Sequence, residues 1–212
     1  ISVGNDPGQC NAVVFWTPPT ITDNCPGLSV SNNFTPGSTF PIGNTTVNYV
    51  AMDNGFNFSN CSFTITVNDV EAPVITGCPA NIVVATAPGA CNAVVNWTAP
   101  TITDNCPGVS VSNNLAPGST FNTGATTVNY FAIDNGFLNA TCSFTVTVND
   151  STPPSISCPS NISVNNDAGL CAATVNYTAP VGTDNCPGAV TTLTAGLGAG
   201  ASFPVGFSPE TY

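Results

Sequence analysis

Carboxylates and cysteines recur at fixed offsets along this chain, and they are the side chains whose types and spacing could do chemistry. Asp23, Asp104 and Asp184 each sit in a Thr-Asp-Asn-Cys loop, and Asp53 and Asp134 each open an Asp-Asn-Gly turn. Asp69 and Asp150 close a strand-like run shortly before Pro73 and Pro153. Calcium takes about six to eight oxygens from carboxylates, Asn carbonyls and backbone, so this chemistry suits it. The candidate metal set is Asp69, Glu71 and Asp104, with Asp150 at the next equivalent position. The competing reading is local: Asp-Asn and Asn-Gly make turns through side-chain-to-backbone bonds and need no ion. No EF-hand loop is present, so neither a calcium ion nor any other cofactor is fixed by motif alone.

The ten cysteines carry the second chemistry. None forms a Cys-x-x-Cys pair or has zinc-knuckle spacing, which points to disulfides in an oxidising compartment. Four cysteines allow three connectivities. The reading adopted closes local loops, Cys10–Cys25, Cys91–Cys106 and Cys171–Cys186, and joins first strand to last through Cys78–Cys142. Cys61 and Cys158 then have no partner among these residues.

What the chain lacks excludes much. Its 212 residues contain no Lys, Arg or His, and 11 carboxylates give a formal charge of −11. There is no imidazole base, no Schiff-base amine, and no way to build a Ser-His-Asp or Cys-His arrangement, so an enzyme is not expected. A basic footprint for nucleic acid is missing too. No apolar run reaches the length of a membrane span. No signal peptide stands at Ile1, so a mature chain or a fragment is expected. At 42% hydrophobic and 5% charged, the chain can bury a core.

The elements that position these residues come in copies. Residues 1–69 align without a gap to 82–150: CNAVV recurs at Cys10 and Cys91, PTITDNCPG at Pro19 and Pro100, TTVNY at Thr45 and Thr126. CSFTITVND from Cys61 matches CSFTVTVND from Cys142, and a diverged third copy carries CAATVNYTAP from Cys171. The expected units are 1–69, 70–150 and 151–212. The first lacks the Cys-Pro segment that opens the other two, and the third stops at Tyr212, aligned with Tyr49. This reads as a window on a longer array; the competing reading is a protomer whose missing strands come from neighbours by strand addition.

Periodicity makes the chain all-β. Phe63, Ile65 and Val67 alternate with Ser62, Thr64 and Thr66, and turn signals such as Asn54-Gly55 and Pro107-Gly108 recur at short intervals. Tandem immunoglobulin-like β-sandwich domains, disulfide-bonded, are the expected fold. Trp16, Trp97 and Tyr177 share one position, read as the plug between sheets.

The series Cys-Pro-x-Asn-Ile, Thr-Asp-Asn-Cys, TTVNYFAIDNG and CSFTVTVND resembles the HYR (hyalin repeat) module, in three registers over essentially the whole chain. The resemblance implies a sandwich of immunoglobulin or fibronectin-III type in extracellular, often tandem proteins linked to adhesion. The family's usual two cysteines match Cys78 and Cys142, and it supplies no catalytic residues. VNDVEAP, residues 67–73, also resembles a cadherin-type calcium linker in miniature.

Nine Asn-x-Ser/Thr sequons mark glycan candidates at Asn33, Asn44, Asn57, Asn60, Asn96, Asn139, Asn149, Asn161 and Asn176. Asp150-Ser151-Thr152 resembles a bacterial O-glycosylation acceptor. Residues 69–79 contain no Gly/Ser linker, which predicts stiff junctions. The expected function is an extracellular, cell-surface structural array, either a fibre or an adhesin stalk, decorated with covalent glycans and associating with itself or continuing as the same array. The alternative is an adhesion module that binds a glycan or a cell-surface protein through loops 32–37 and 54–57. Without Lys, a Lys–Asn isopeptide bond is excluded.

Overall fold

A computed structural model describes residues 1–212 and contains strands and no helix. The first copy holds β1 (Ser2–Gly4), β2 (Asn11–Val14), β3 (Ser29–Asn32), β4 (Ser38–Pro41), β5 (Gly43–Met52) and β6 (Phe58–Asn68). Next come β7 (Val74–Thr76), β8 (Ile82–Ala85), β9 (Asn92–Val95), β10 (Thr101–Thr103), β11 (Ser110–Asn113), β12 (Ser119–Asn122), β13 (Gly124–Ile133) and β14 (Asn139–Asn149). The third copy adds β15 (Ala172–Thr174) and β16 (Ser202–Pro204).

The chain divides into two compact units. One comprises Ile1–Ala80, Trp97–Pro117 and Thr127–Phe144; the other comprises Asn81–Asn96, Gly118–Thr126 and Thr145–Tyr212.

In the first unit, β1-β6-β5-β3 form one sheet and β2-β4 another. β5 and β6 pair antiparallel from Gly43↔Val67 to Met52↔Phe58, and β1 runs parallel to β6 from Ser2↔Thr66 to Gly4↔Asn68. The period-two pattern sends alternate residues inward. Ala12 and Val14 of β2 and Phe40 of β4 pack against Val47 and Tyr49 of β5 and Ile65 and Val67 of β6. This two-sheet core is a β-sandwich. Trp16 sits at its margin, edge-on to Phe40 at 5.9 Å and to Phe63 at 5.6 Å, with its Nε1 donating to Tyr49 Oη at 2.9 Å. Trp97 repeats that bond to Tyr130 at 2.9 Å. The ring at this position is therefore half in the core and half a hydrogen-bond anchor.

Residues 82–149 repeat the scheme, with strand order β11-β13-β14-β8 and a separate β12-β9 pair. Ala93, Val95, Phe121, Val128, Tyr130, Phe144, Val146 and Val148 are buried at positions matching those of the first core. β7 pairs with β10 from Val74↔Thr103 to Thr76↔Thr101. The equivalent of β10 in the first copy, Thr20 to Thr22, is not a strand. A cavity of about 420 Å³ lies there instead, lined by Thr20, Ile21, Thr22, Phe58 and Cys61 among others.

The third copy has one short antiparallel pair, β15-β16, and isolated bridges at Ser155↔Thr183 and Ala195↔Thr211. Tyr177 contacts Tyr212 Oη at 2.7 Å and donates to Glu210 Oε2 at 2.9 Å.

The cysteine pairing corrects the sequence reading. Cys10 bonds Cys106, not Cys25, and Cys91 bonds Cys186, not Cys106. Cys25 and Cys171 are free and exposed, so neither Cys10–Cys25 nor Cys171–Cys186 forms. The reason is directional. The chain leaves Cys10 along β2 and makes no turn before the loop that holds Cys25, which carries Cys25 away from its expected partner. The Thr-Asp-Asn-Cys loop of the following copy reaches Cys10 instead: Asn105 Nδ2 donates to Gln9 O at 3.0 Å, and the Cα atoms of Cys10 and Cys106 stand 4.8 Å apart. Asn185 Nδ2 donates to Ala90 O at 2.9 Å beside Cys91–Cys186 in the same way. Cys78 and Cys142 are bonded, and Cys61 and Cys158 are free and exposed.

Candidate junction sites

Two equivalent clusters form where one copy's last strand meets the next copy's Thr-Asp-Asn-Cys loop. In the first unit, ligand atoms of Asp69, Asp104 and Cys106 lie within 4.8 Å of one another; in the second, those of Asp150, Asp184 and Cys186 do. Both sulfurs are locked in disulfides, so neither offers a thiolate. What remains is a hard, oxygen-only donor set.

Local sequence builds each cluster. Asp104 Oδ1 accepts the Cys106 N–H at 2.8 Å, an Asx turn that leaves Oδ2 without a hydrogen-bond partner. Asp184 makes the same bond to Cys186 N at 2.8 Å. Asp69 Oδ1 accepts from Glu71 N at 3.2 Å. Two carboxylates about 5 Å apart repel by about 3 kcal/mol at the effective dielectric of a half-buried site. No cationic side chain exists to offset that repulsion.

The structure redistributes the predicted ligands. Asp69 and Asp104 come together, as do Asp150 and Asp184. Glu71 does not join them. Its Oε1 accepts from Asn5 Nδ2 at 3.1 Å and Gly8 N at 2.8 Å, holding the loop before β2. Asn5 is 8% exposed and completes that brace by accepting from Val70 N at 2.9 Å. Glu71 is thus spent on the Asn5 side chain and the Gly8 amide.

Asp134 is a residue that sequence reasoning placed in a turn and left out of the metal set. It is 7% exposed, its Oδ1 accepts from Leu138 N at 2.9 Å, and its Oδ2 is buried with no hydrogen-bond partner. Asp104 Oδ2 and Asn105 Oδ1 are likewise buried and unpaired, as is Asn185 Oδ1 in the second unit. The only signal in the sequence was the recurrence of Asp-Asn-Gly, which says nothing of burial. Asp53, the equivalent in the first copy, differs: Asn57 Nδ2 donates to its Oδ2 at 2.8 Å, and hydrogen bonds from Asn57 hold its pKa below the ordinary 3.8.

All nine sequon asparagines are exposed. Three already use their side chains. Asn33 donates to Thr46 O at 3.0 Å while accepting from Asn48 N at 2.8 Å, Asn44 accepts from Thr66 Oγ1 at 2.8 Å, and Asn57 serves Asp53. In the third copy, backbone hydrogen bonding from Leu197 leads the effects that hold the Glu210 carboxyl below its usual 4.5. The hydrogen bond to Tyr212, followed by burial, raises the Tyr177 phenol well above its ordinary value. At the tips of the Asp-Asn-Gly turns, Phe56 and Phe137 take positive φ of 64° and 66° and are 78% and 82% exposed.

Residues 3–67, 68–148 and 149–212 each match the HYR domain. Hyalin of Strongylocentrotus purpuratus is 37% identical over 211 residues, covering 97% of this chain and 18% of that protein. Hyalin of Lytechinus variegatus is 34% identical over 209 residues, covering 94% of this chain and 39% of that protein. The mouse sushi, von Willebrand factor type A, EGF and pentraxin domain-containing protein 1 is 34% identical over 152 residues, 68% of this chain and 4% of that protein. The chain therefore spans well under half the length of these relatives.

Proposed function

The chain belongs to the HYR domain family, and from that premise we propose that it works as an extracellular structural array, a surface fibre or an adhesin stalk, built from repeats 1–69, 70–150 and 151–212. It is not an enzyme: the chain matches the HYR domain throughout, its relatives are repeat proteins, and it has no His or Lys to serve as a base near neutral pH. The observation that carries the reading is the bridging of neighbouring repeats at two equivalent positions, Cys10–Cys106 and Cys91–Cys186. A covalent tie from each repeat to the next, with no Gly/Ser linker between, supports a stiff succession rather than beads on a flexible string. Exposure of the sequon asparagines supports glycan decoration.

Exposed aromatic rings at Phe56 and Phe137, held in a strained backbone conformation at equivalent turn tips, favour a second reading, in which those turns engage a glycan or protein ligand. Electron microscopy of the native extracellular material at side-chain resolution tests the first reading. A continuous fibre of evenly spaced repeats, with added density on Asn, Ser or Thr, is the expected result. Separate repeats joined by flexible segments would overturn it, and binding on a glycan array lost with Phe56→Ala and Phe137→Ala would establish the second.

A further inference from the structure

We infer that Asp69, Asp104, Asn105 and Asp134 form a calcium site at the first junction. The inference goes beyond the array reading and stands whether the array is a fibre or a stalk. Three oxygens there, Asp104 Oδ2, Asn105 Oδ1 and Asp134 Oδ2, are buried without a donor. An unpaired buried acceptor is costly, and a buried unpaired carboxylate more so. The three come from two separate loops, and the Asp69 carboxylate of the preceding repeat lies within 4.8 Å of that of Asp104. Gly136 sits between Asp134 and Asp69: a Cβ on that glycine would stand 3.2 Å from Asp134 Oδ1 and 3.5 Å from both the Cβ and the carbonyl oxygen of Asp69.

Charge and donor type select the ion. Asp69 and Asp104 stand together and Asp134 is buried with one oxygen unpaired, in a chain with no Lys, Arg or His, so the compensating charge must come from outside. With Cys106 sulfur in a disulfide, only carboxylate and amide oxygens are left, a set for calcium or magnesium and not for zinc. Ligands from separate loops match the larger and more tolerant calcium sphere. The first copy supplies an internal contrast. Where Asp53 has the Asn57 amide on its Oδ2, Asp134 has Leu138 at the matching position and its Oδ2 stays unpaired. The second unit repeats the motif with Asp150, Asp184 and the unpaired Asn185 Oδ1.

Hydrogen exchange and calorimetry on the oxidised full chain, with calcium chloride as the probe, test the assignment. Calcium should bind with a Kd on the order of 0.1–1 mM, the range of extracellular calcium modules, and slow exchange at residues 104–106 and 134–138. Asp134→Asn should weaken that local protection at least about tenfold in calcium concentration. Leu138→Asn keeps every carboxylate and adds the donor that Asn57 gives Asp53, so it should weaken binding too. Asp53→Asn should change nothing at the junction. No heat and no local protection in the unaltered chain at about 10 mM calcium, well above that range, would overturn the inference. So would undiminished protection in a folded Leu138→Asn chain. A failure here would leave the microscopy result for the array untouched.

Discussion

Removal of the Cys10–Cys106 bridge is the perturbation that separates the folded arrangement from local pairing most sharply. The bond closes a sequence separation of 96 residues. In the chain-entropy model such a loop restricts the unfolded state by about 4.7 kcal/mol, against about 3 kcal/mol for a loop of about 15 residues. The double variant Cys10→Ser/Cys106→Ser avoids leaving a reactive thiol and should lose about 4.7 kcal/mol in denaturant unfolding of the first unit. Cys25→Ser should lose almost nothing, because that thiol is free and exposed. Peptide mapping of the unreduced chain provides the direct assay. Trypsin has no site here, so an acid-cleaving or aspartate-directed protease is required. The expected linked peptides join Cys10 to Cys106, Cys91 to Cys186 and Cys78 to Cys142, with alkylation at Cys25, Cys61, Cys158 and Cys171. A peptide joining Cys10 to Cys25, or a stability loss on Cys25→Ser that matches the double variant, would refute the reasoning.

Two further outcomes can be checked. Phe40 is fully buried between the two sheets, so Phe40→Ala should cost about 3–5 kcal/mol, read as a shift in the unfolding midpoint without a change in slope. Glu210 accepts the Leu197 and Gly198 amides at 2.7 and 2.9 Å, and its folded pKa is lowered, so its contribution is present above the ordinary carboxylate pKa and is lost as pH falls through the folded value. Exchange at those two amides should therefore accelerate on acidification beyond the intrinsic pH trend, and Glu210→Gln should abolish that excess.

The sandwich was legible because burial follows strand periodicity. Val47 and Tyr49, and Ile65 and Val67, alternate in sequence and point inward in the fold. The shared aromatic position was legible as a core element, although the Trp16 and Trp97 bonds to Tyr hydroxyls depend on a cross-strand register that no local pattern encodes. Cysteine pairing was not legible, since spacing ranks loops by length and carries no information on which end of a sandwich meets its neighbour. The chain leaves Cys10 along β2 with no turn before the loop of Cys25, so Cys25 loses to Cys106. Asp69 and Asp104 could be picked by charge and position, but Glu71 has the same charge and is consumed by Asn5 and Gly8. Asp134 differs from Asp53 only through the residue four positions on, Leu138 in place of Asn57, a contrast that acquires meaning once both turns are seen with their partners.

The two inter-repeat bridges overlap, and the overlap sets how far the chain can be drawn out. Cys10 and Cys186 are 176 residues apart (186 less 10), a contour of roughly 600 Å when fully extended. With both bonds closed, tension entering at Cys10 crosses to Cys106, runs back along 15 residues (106 less 91) to Cys91, and crosses to Cys186. Even with every strand unravelled, that route reaches only roughly 60 Å. The slack in nearly all of three repeats is thus locked away from a pulling force, and a reductant, rather than force or heat, is what would release it. Extensibility in this chain is a redox property.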